Sequence, residues 1–399
     1  MQLGGLIVKV AGRCNINCRY CYMYNRADQS YRRLPKVMSS AVAEALIQRA
    51  WEHCTAKGSE TFEFVFHGGE PLLAPPSFYV SFVEHARKVF GHSFRLRFAI
   101  QTNGTLLSPS WCELLERLRI RVSLSIDGDS DSHNRNRVDF KGYGTYEATI
   151  RGLRLAQQYP FIERHLGLLA VVDVSAPPLG VYRSLYALGV RQVNLLLPDV
   201  THDEAHWKVG VDTLYADWLI TVFDEWFHQP QPKPRIPLFT RLIQLILGYA
   251  CSDEMLGKGV FNYLVVETDG SIEPLDVLKI CGDSFTLLGL SVLEHGLDDA
   301  LQTELGQRSY YAHHELSLQC RQCLVVDVCG GGYLPHRYQR DTRFDNPTVY
   351  CHDMLKLISH VQNALLPELP ASLRRRLTPL DFQYLLTTLT HQPIQSHAQ

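Results

Sequence analysis

Three cysteines near the start of the chain constrain what it can be more than any other feature. Cys14, Cys18 and Cys21 stand at C-x3-C-x2-C spacing in the run KVAGRCNINCRYCYMY. Three thiolates can hold three irons of a [4Fe–4S] cluster, which normally takes four cysteines. The remaining iron would then stay open to a substrate or cofactor, as the fourth position of a catalytic zinc does. The alternatives are a zinc knuckle and buried thiols without a metal.

The bulk composition is that of a globular protein with a sizeable core. The chain has 399 residues, of which 46% are hydrophobic and 20% charged, and this length predicts about two or three domains. The net charge of −2 gives no sign of nucleic-acid binding. No apolar run is long enough to span a bilayer, and the first residues lack the pattern of a signal peptide. We therefore expect a cytoplasmic protein without membrane contact.

Strand-like and helix-like segments alternate along the first part of the chain. About six such units predict an α/β fold, an open, partial (β/α)6 barrel of the TIM-like kind. We expect the barrel at residues 1–235, a linker with a bridging helix at 236–260, a cysteine-rich domain at 261–365 and a helical tail at 366–399. Chemistry gathers at the carboxyl ends of the strands in such folds, and the motifs below fall at such ends.

Three motifs follow predicted strands. Gly68 and Gly69 in HGGEP let backbone groups approach a ligand closely, and the carbonyls and the Glu70 carboxylate of this loop are acceptors suited to an ammonium group. Asn103, in QTNGT, ends the next strand, where a simple Asn-Gly turn is the alternative. Ser125 lies late on the following strand, in SLSIDG, where its hydroxyl could reach a ligand.

The cysteine triplet and the GGEP loop together resemble radical S-adenosylmethionine (SAM) enzymes, in which an aromatic residue, here Tyr20, precedes the third cysteine. There the open iron chelates the amino and carboxylate groups of SAM, and an electron from the cluster cleaves SAM to a 5′-deoxyadenosyl radical. The resemblance implies an external electron donor such as flavodoxin or ferredoxin.

The same resemblance implies roles at the SAM site. The GGEP loop would contact the amino group and Ser125 the ribose. Arg137, with Arg135 as its competitor, matches an arginine aimed at the SAM carboxylate, which a guanidinium can pair with in bidentate fashion. Leu196 would line the adenine or form strand core, and Asp127 is a substrate-side candidate. The expected SAM-site residues are Tyr20, Gly68, Gly69, Glu70, Asn103, Ser125, Arg137 and Leu196.

A second group of cysteines lies in the last third of the chain. Cys320, Cys323 and Cys329 stand at C-x2-C-x5-C spacing and are followed by Cys351. Four thiolates suit either Zn²⁺ or an iron–sulfur cluster, and spacing alone does not choose between them. The pattern resembles the SPASM domain of radical SAM enzymes that modify peptides, where four such cysteines fully ligate an auxiliary [4Fe–4S] cluster.

The chain departs from the full SPASM pattern of seven cysteines and two auxiliary clusters. Leu275 and Tyr333 occupy two of the cysteine positions, and Cys281 alone remains nearby. One cysteine cannot hold a four-iron cluster, so we expect the first auxiliary cluster to be lost. Cys281 is then either an incomplete ligand or an inert thiol.

The run CGGGYLPHRYQRDTRFDNPTVYC, with ETDGSIEPLDVLKICG and SIDGDSDSHNRNR, closely resembles the cyclophane-forming peptide maturases, the GrrM/OscB, FxsB and XyeB group, over about residues 5–360. Those enzymes remove a β-hydrogen from a side chain of a ribosomally made precursor peptide. The carbon radical attacks a nearby aromatic ring, and loss of an electron and a proton leaves a C–C crosslink. Asp276 matches an aspartate that acts as a base or substrate contact in some SPASM enzymes; a surface carboxylate on a turn is the alternative.

Other functions use the same residues. Thioether formation, epimerisation and formylglycine-type oxidation need the same radical machinery. A non-catalytic zinc or iron–sulfur module would not need GGEP, Ser125 and Arg137 together. No leader-binding winged helix is recognisable, so we expect the peptide to be recognised by the barrel mouth, the C-terminal domain or a partner protein. His336, Arg337 and Tyr338 either contact substrate or support the second cluster.

Overall fold

One eight-stranded sheet organises the protein. The computed structural model describes residues 1–204, 213–251 and 253–390. The strands in chain order are β1 (Gly5–Ala11), β2 (Thr61–Gly68), β3 (Arg95–Thr102), β4 (Ile120–Ser125), β5 (Gly167–Val171), β6 (Gln192–Leu196), β7 (Tyr263–Val266) and β8 (Ile272–Glu273). Their spatial order is β6-β5-β4-β3-β2-β1-β7-β8. All neighbouring pairs are parallel except β7 and β8. The predicted α/β fold with a partial barrel is confirmed.

Helices connect the parallel strands, as parallel pairing requires. Those of the barrel are α1 (Ser40–Lys57), α2 (Pro76–Phe90), α3 (Pro109–Leu118), α4 (Ser130–Asn136), α5 (Tyr146–Ala156), α6 (Pro160–His165) and α7 (Pro178–Ala187). Several begin at the residues that sequence rules favour. Ser39 caps α1 by accepting a hydrogen bond from the backbone N–H of Val42, and Ser108 caps α3 in the same way.

The alternation of side chains along each strand separates the core from the site. Phe62, Phe64 and Phe66 of β2 are fully buried on the outer face, where Phe64 and Phe66 pack edge-to-face against Phe82 of α2. The inner face carries polar residues near the carboxyl ends of the strands: Lys9, His67, Gln101 and Ser125. The fold therefore lines one end of the barrel with polar side chains.

The second half of the chain is built onto this sheet. Its helices are α8 (Leu214–His228), α9 (Pro237–Ile246), α10 (Leu297–Gln302), α11 (Glu304–Tyr310), α12 (Leu318–Arg321), α13 (Val326–Cys329), α14 (Cys351–Leu365), α15 (Ala371–Arg374) and α16 (Phe382–Thr390). Strand β7 pairs with β1, with Gly5 opposite Tyr263 and Val8 opposite Val266. Residues 205–212 of the predicted barrel and the last nine residues of the predicted tail lie outside the described residues. Among the helices that the structure describes, none is long and apolar enough to cross a membrane.

Candidate active site

A cavity of about 160 Å³ opens at the carboxyl ends of the barrel strands and brings most of the predicted SAM-site residues together. Its lining includes Cys14, Cys18, Tyr20, Cys21, Gly68, Gly69, Asn103, Ser125, Arg137 and Leu196. Of the predicted SAM-site residues Glu70 does not line it, and neither do the candidates Asp127 and Asp276. Parallel strands end at one edge of a sheet, which is why motifs far apart in sequence meet here.

The cysteine loop follows β1 and turns its three thiols toward this cavity. The backbone N–H of Cys21 donates to the carbonyl of Cys18 over 3.1 Å, and the side-chain amide of Asn25 donates to the same carbonyl over 2.7 Å. Burial raises the pKa of Cys14 to about 12 and that of Cys18 to about 11. Such thiols lose their protons when a metal binds the thiolate. Three soft ligands around one cavity fit the irons of a cluster.

The glycines of the GGEP loop are required by close packing. A Cβ at Gly69 would clash with the hydroxyl of Tyr24 and the carbonyl of Arg13. Gly68 has a φ of 145° and would place a Cβ against the carbonyl of Ala11. The loop backbone therefore lies directly against the cysteine loop, and only glycine fits there.

Glu70 anchors this loop from behind. Its carboxylate accepts hydrogen bonds from the Thr102 hydroxyl at 2.6 Å, from the backbone N–H of Asn103 at 2.9 Å and from that of Leu72 at 3.0 Å. Burial raises its pKa to about 7. The carboxylate is directed at the end of β3, whereas the sequence led us to expect it at the SAM amino group.

Arg137 is held in the cavity wall by two neighbours. Its Nε lies 3.0 Å from Asp127 Oδ2, which also accepts a 2.6 Å hydrogen bond from the Tyr20 hydroxyl. The guanidinium carbon lies 5.5 Å from the centre of the Tyr20 ring, and Nη1 lies 3.7 Å from Cys18 Sγ. Asp127 therefore orients Arg137 and Tyr20, a role different from the substrate contact considered from the sequence.

Asn103, Ser125 and Leu196 complete the wall. The Asn103 amide donates to Asn15 Oδ1 over 2.9 Å and links the cysteine loop to β3. The Ser125 hydroxyl accepts a 2.8 Å hydrogen bond from the Gln101 amide. Leu196 lines the cavity, whereas its neighbours Leu195 and Leu197 are buried in the core.

Asp276 is buried behind this wall, so it is not a surface carboxylate. It forms an ion pair with Lys9, and it accepts a 2.6 Å hydrogen bond from the Tyr22 hydroxyl. Burial alone would raise the pKa of Asp276, but Lys9, His67 and Tyr22 lower it well below its usual range. Burial and the Lys9 charge together lower the pKa of His67 to about 4, so this imidazole is neutral. Lys9 was not predicted from the sequence, although a lysine inside the apolar run LIVKVA is a usable signal.

The second group of cysteines also converges. Cys320, Cys323, Cys329 and Cys351 line one small apolar cavity of about 20 Å³ between α12, α13 and α14. Burial raises the pKa of Cys329 to about 12, and it raises the pKa of Cys351 well above its usual value. Within the described residues no three His, Cys, Asp or Glu side chains form a site for a single metal ion. Four thiols around one cavity fit a cluster fully ligated by cysteine.

Leu275 and Tyr333 belong to an apolar cluster. They are buried together with Val277, Leu278, Ile280, Ala312, Leu334, Tyr338 and Phe344. Cys281 packs at the edge of this group, and it does not line the cavity of the four cysteines. The positions where the full SPASM pattern has cysteines are therefore occupied by core packing.

The fold, the three-thiol cavity and the matched sequence together define the class. Residues 8–172 match the model of the Radical SAM superfamily. This match indicates a radical SAM enzyme that uses SAM and a SAM-binding [4Fe–4S] cluster. Cys320, Cys323, Cys329 and Cys351 fit an auxiliary [4Fe–4S] cluster.

Two relatives that the chain resembles over most of its length are anaerobic sulfatase-maturating enzymes. The chain is 25% identical over 347 residues to the cysteine-type anaerobic sulfatase-maturating enzyme of Clostridium perfringens (strain 13 / Type A), covering 86% of this chain and 90% of that one. It is 25% identical over 341 residues to the serine-type enzyme of Klebsiella pneumoniae, covering 83% and 81%.

Solved structures extend the likeness of the fold. anSMEcpe with bound AdoMet superposes with a TM-score of 0.78 at 23% identity, covering 91% of this chain and 98% of that chain. Streptococcus suis SuiB bound to precursor peptide SuiA gives a TM-score of 0.58 at 16% identity, covering 88% and 76%. The shared architecture therefore extends well beyond the segment that the family model matches.

Proposed function

We propose that this protein is a peptide maturase that forms C–C (cyclophane) crosslinks between an aromatic ring and a side-chain β-carbon of a ribosomally made precursor peptide. The observation that carries the proposal is a continuous wall between the two cysteine sites. Asp199 lines the SAM cavity, His336 lies next to it, and the His336 ring contacts Tyr350, the residue before Cys351. An oxidative crosslink needs such a connection, because an electron must leave the substrate.

The residues of the cavity have separate roles in this proposal. Cys14, Cys18 and Cys21 would hold the SAM-binding [4Fe–4S] cluster. When present, that cluster would supply the electron that cleaves bound SAM. Arg137, oriented by Asp127, would pair with the SAM carboxylate. The backbone of the GGEP loop would accept hydrogen bonds from the ammonium, Ser125 would bind the ribose, and Leu196 would pack on the adenine.

The last step requires the substrate to lose an electron and a proton. Cys320, Cys323, Cys329 and Cys351 would hold the auxiliary cluster that accepts the electron. Asp276 is the proposed base, because its carboxylate remains charged beside the Tyr22 side chain of the cavity wall. An external flavodoxin or ferredoxin would supply the electron for SAM cleavage.

Formylglycine-type oxidation of a peptide is the second candidate. It is favoured by the names of the relatives, which are sulfatase-maturating enzymes. The resemblance of residues 329–351 to cyclophane-forming enzymes favours crosslinking. Both reactions need the same radical and the same loss of an electron and a proton.

The two candidates are separated by the chemistry of the product. The holoenzyme, reconstituted without oxygen and reduced with dithionite, is mixed with SAM and two sets of peptides. One set carries aromatic residues two positions before a candidate β-carbon, and the other is taken from sulfatase active sites with serine or cysteine. Crosslinking and serine oxidation both remove two hydrogen atoms, so mass alone does not separate them. We expect a product that does not react with a hydrazide and does not fragment within the crosslinked segment.

The control is a variant with Cys14, Cys18 and Cys21 changed to Ala, which should form no 5′-deoxyadenosine. A hydrazide-reactive product from the sulfatase peptides, with no product from the aromatic set, would establish formylglycine formation instead. Zinc in place of iron, with no 5′-deoxyadenosine, would exclude both candidates.

A further inference from the structure

We propose that Asp199 and His336 form a second acid–base pair of this site, in which Asp199 receives the proton that leaves the substrate and His336 shares it. The inference rests on the proposed function and revises one part of it: the proton that leaves the substrate goes to this pair in place of Asp276. It starts from the His336 imidazole, for which the sequence left two roles open: a contact with the substrate or support of the auxiliary cluster.

The pair stands at the boundary of the SAM cavity. Asp199 follows strand β6 and lines the cavity, and its side chain is 26% exposed. Its Oδ1 lies 3.5 Å from Nε2 of His336, whose side chain is only 2% exposed. A substrate in the cavity would therefore meet the aspartate first, and the histidine lies behind it.

The hydrogen bonding of the His336 imidazole is incomplete within the described residues. Within the described residues, its buried Nε2 has no hydrogen-bond partner, although buried polar atoms are nearly always paired. The ring is held edge-to-face by Tyr333, with centroids 5.2 Å apart, and by Tyr350, with centroids 5.0 Å apart. Because aromatic rings confine the imidazole, the nearby Asp199 carboxylate is the group placed to pair with Nε2. A proton on either partner would turn the 3.5 Å contact into a hydrogen bond.

Asp276 is less suited to retain a proton. Its carboxylate is already bound by Lys9 and by Tyr22, and a base bound to a lysine is stabilised in its charged form. It also lies behind the cavity wall, whereas Asp199 is part of the wall. Within the described residues Asp199, by contrast, is paired with no lysine or arginine, and its one ionic neighbour is His336.

The surroundings of the pair favour uptake of a positive charge. The titratable groups around Asp199 are Tyr22, Glu254, Tyr333 and Tyr350. Burial and the nearby Asp253, Asp276 and Asp199 raise the pKa of Glu254 to about 8. Neighbouring carboxylates oppose further negative charge. A proton arriving at this wall is therefore stabilised by groups that are already present.

The proposed step balances. After the C–C bond forms, the attacked ring carbon still carries its hydrogen, and the ring holds one unpaired electron. As the C–H bond breaks, its electron pair joins the unpaired electron of the ring. Two of these three electrons complete the aromatic ring, and one would leave to an auxiliary cluster held by the four cysteines, which is a one-electron oxidant. The proton forms an O–H bond with Asp199 that hydrogen-bonds to His336.

The test compares H336Q and D199N with a matched control, H53Q. His53 is also a buried histidine beside an aspartate, 3.1 Å from Asp298, but it lies outside the cavity. The measured quantity is oxidised peptide formed per 5′-deoxyadenosine, from about pH 5 to 8. A peptide with deuterium on the reacting β-carbon adds a second readout, the loss of that deuterium from recovered, unmodified peptide.

We expect H336Q and D199N to form 5′-deoxyadenosine at about the wild-type rate, while the product ratio falls about 100-fold. The wild-type ratio should change with pH over the tested range, and H336Q, which lacks the imidazole, should not show this change. Recovered peptide should lose its deuterium in both variants: without proton transfer the ring radical reverts to the β-carbon radical, and an electron from dithionite and a proton from water then quench it, while the deuterium leaves in 5′-deoxyadenosine. H53Q should match the wild type in all three readouts.

An unchanged ratio and unchanged pH profile in H336Q and D199N would overturn the proposal. So would a parallel loss of 5′-deoxyadenosine and product in both variants, because that would make them supports of the SAM site. Iron content and SAM binding are measured for each variant, and if H336Q loses iron, D199N decides. The ratio counts whichever oxidised product the wild type forms. The test of Asp199 and His336 therefore holds even if that product is not a crosslink, and the chemistry of the product tests the crosslinking function by itself.

Discussion

Arg137 shows how a residue acquires a role from contacts outside its motif. The guanidinium is buried, yet it is fully supported: Asp127 binds Nε and the Tyr20 ring lies against its face. Burial disfavours the charge, but the Asp127 and Tyr20 side chains more than offset it, so the pKa of Arg137 stays above its usual value. A permanently charged, planar group aimed at the cavity is suited to a carboxylate ligand.

We predict that R137K weakens SAM binding about 10- to 100-fold, because lysine keeps the charge but loses the fork that pairs with a carboxylate. Equilibrium dialysis of SAM with the reconstituted protein measures this. The control is R135K: Arg135 is 40% exposed, near Asp173, and outside the cavity. Equal losses of affinity in both variants would contradict the assignment of Arg137.

The ion pair between Lys9 and Asp276 makes a second prediction at this scale. Both side chains are at most 5% exposed, so K9M leaves a buried carboxylate without its counter-charge. We expect K9M to lower the free energy of unfolding by about 3–5 kcal/mol. The double variant K9M/D276N should lose less than the sum of the single variants, since neither charge then remains unpaired. Denaturant unfolding measures both effects.

The pH dependence of this pair has a definite sign. The folded pKa of Asp276 lies below its usual value, so the pair contributes fully above the ordinary carboxyl pKa of about 4 and is lost only as the pH falls through the folded value. The control for K9M is K57M. Lys57 pairs with Asp298 at the surface, so K57M should lower the free energy of unfolding by less than about 1 kcal/mol.

A loss of stability in K9M as small as that in K57M would contradict a buried pair.

The sequence predicted the positions of several site residues but not which way their side chains turn. Gly68, Gly69 and Ser125 follow strands, and parallel strands must end together. Glu70 could have faced either a ligand or the backbone, and its hydrogen bonds to Thr102 and Asn103 decide for the backbone. Lys9 was missed because a partner for it, Asp276, is more than 260 residues away, a distance set only by the sheet.

At the scale of elements, an apolar cluster surrounds Leu275, a position where the full SPASM pattern has a cysteine. We predict that L275A lowers the free energy of unfolding by about 2–5 kcal/mol, because it opens a cavity in packed core, and leaves the iron content unchanged. Denaturant unfolding and an iron assay measure the two quantities. The control L287A, at a 46% exposed leucine, should change stability by less than about 0.5 kcal/mol. Loss of iron in L275A would place a cluster at this position.

The elements α12, α13 and α14 meet around the cavity that their cysteines line. We predict that C329A reduces the iron from about eight to about four per chain. SAM cleavage should continue, because the SAM cavity has its own cysteines. Iron analysis and 5′-deoxyadenosine assays measure this. C112A, at a thiol buried in α3, should keep all its iron. Full iron in C329A would contradict the ligand set.

Periodicity predicted the long elements well and the short ones poorly. Strands such as β2 alternate buried and half-buried residues over their whole length, a pattern that is visible in sequence. Helices α12 and α13 have four residues each, too few to form without tertiary support. The tertiary contacts around the cysteine cavity provide that support, so the local sequence carries little signal for these two helices.

At the scale of the whole molecule, the two halves of the chain share one sheet. Strand β7 extends the barrel sheet beside β1, and the hairpin with β8 leads directly into the turn that carries Asp276. The carboxylate thus reaches Lys9 because a strand of the second half lies next to the first strand of the chain. The site is completed by both halves, and neither contains all of it.

The pairing of β1 with β7 also has a consequence for biosynthesis. Residues 5–8 pair with residues 263–266, so most of the polypeptide must leave the ribosome before β7 can cover this edge of β1. Until then β1 presents unpaired backbone groups, a template for association with other nascent chains. Non-local pairing of this kind forms late. Oxygen-sensitive cofactors would thus be inserted into a protein whose first strand is among the last to have both of its edges hydrogen-bonded.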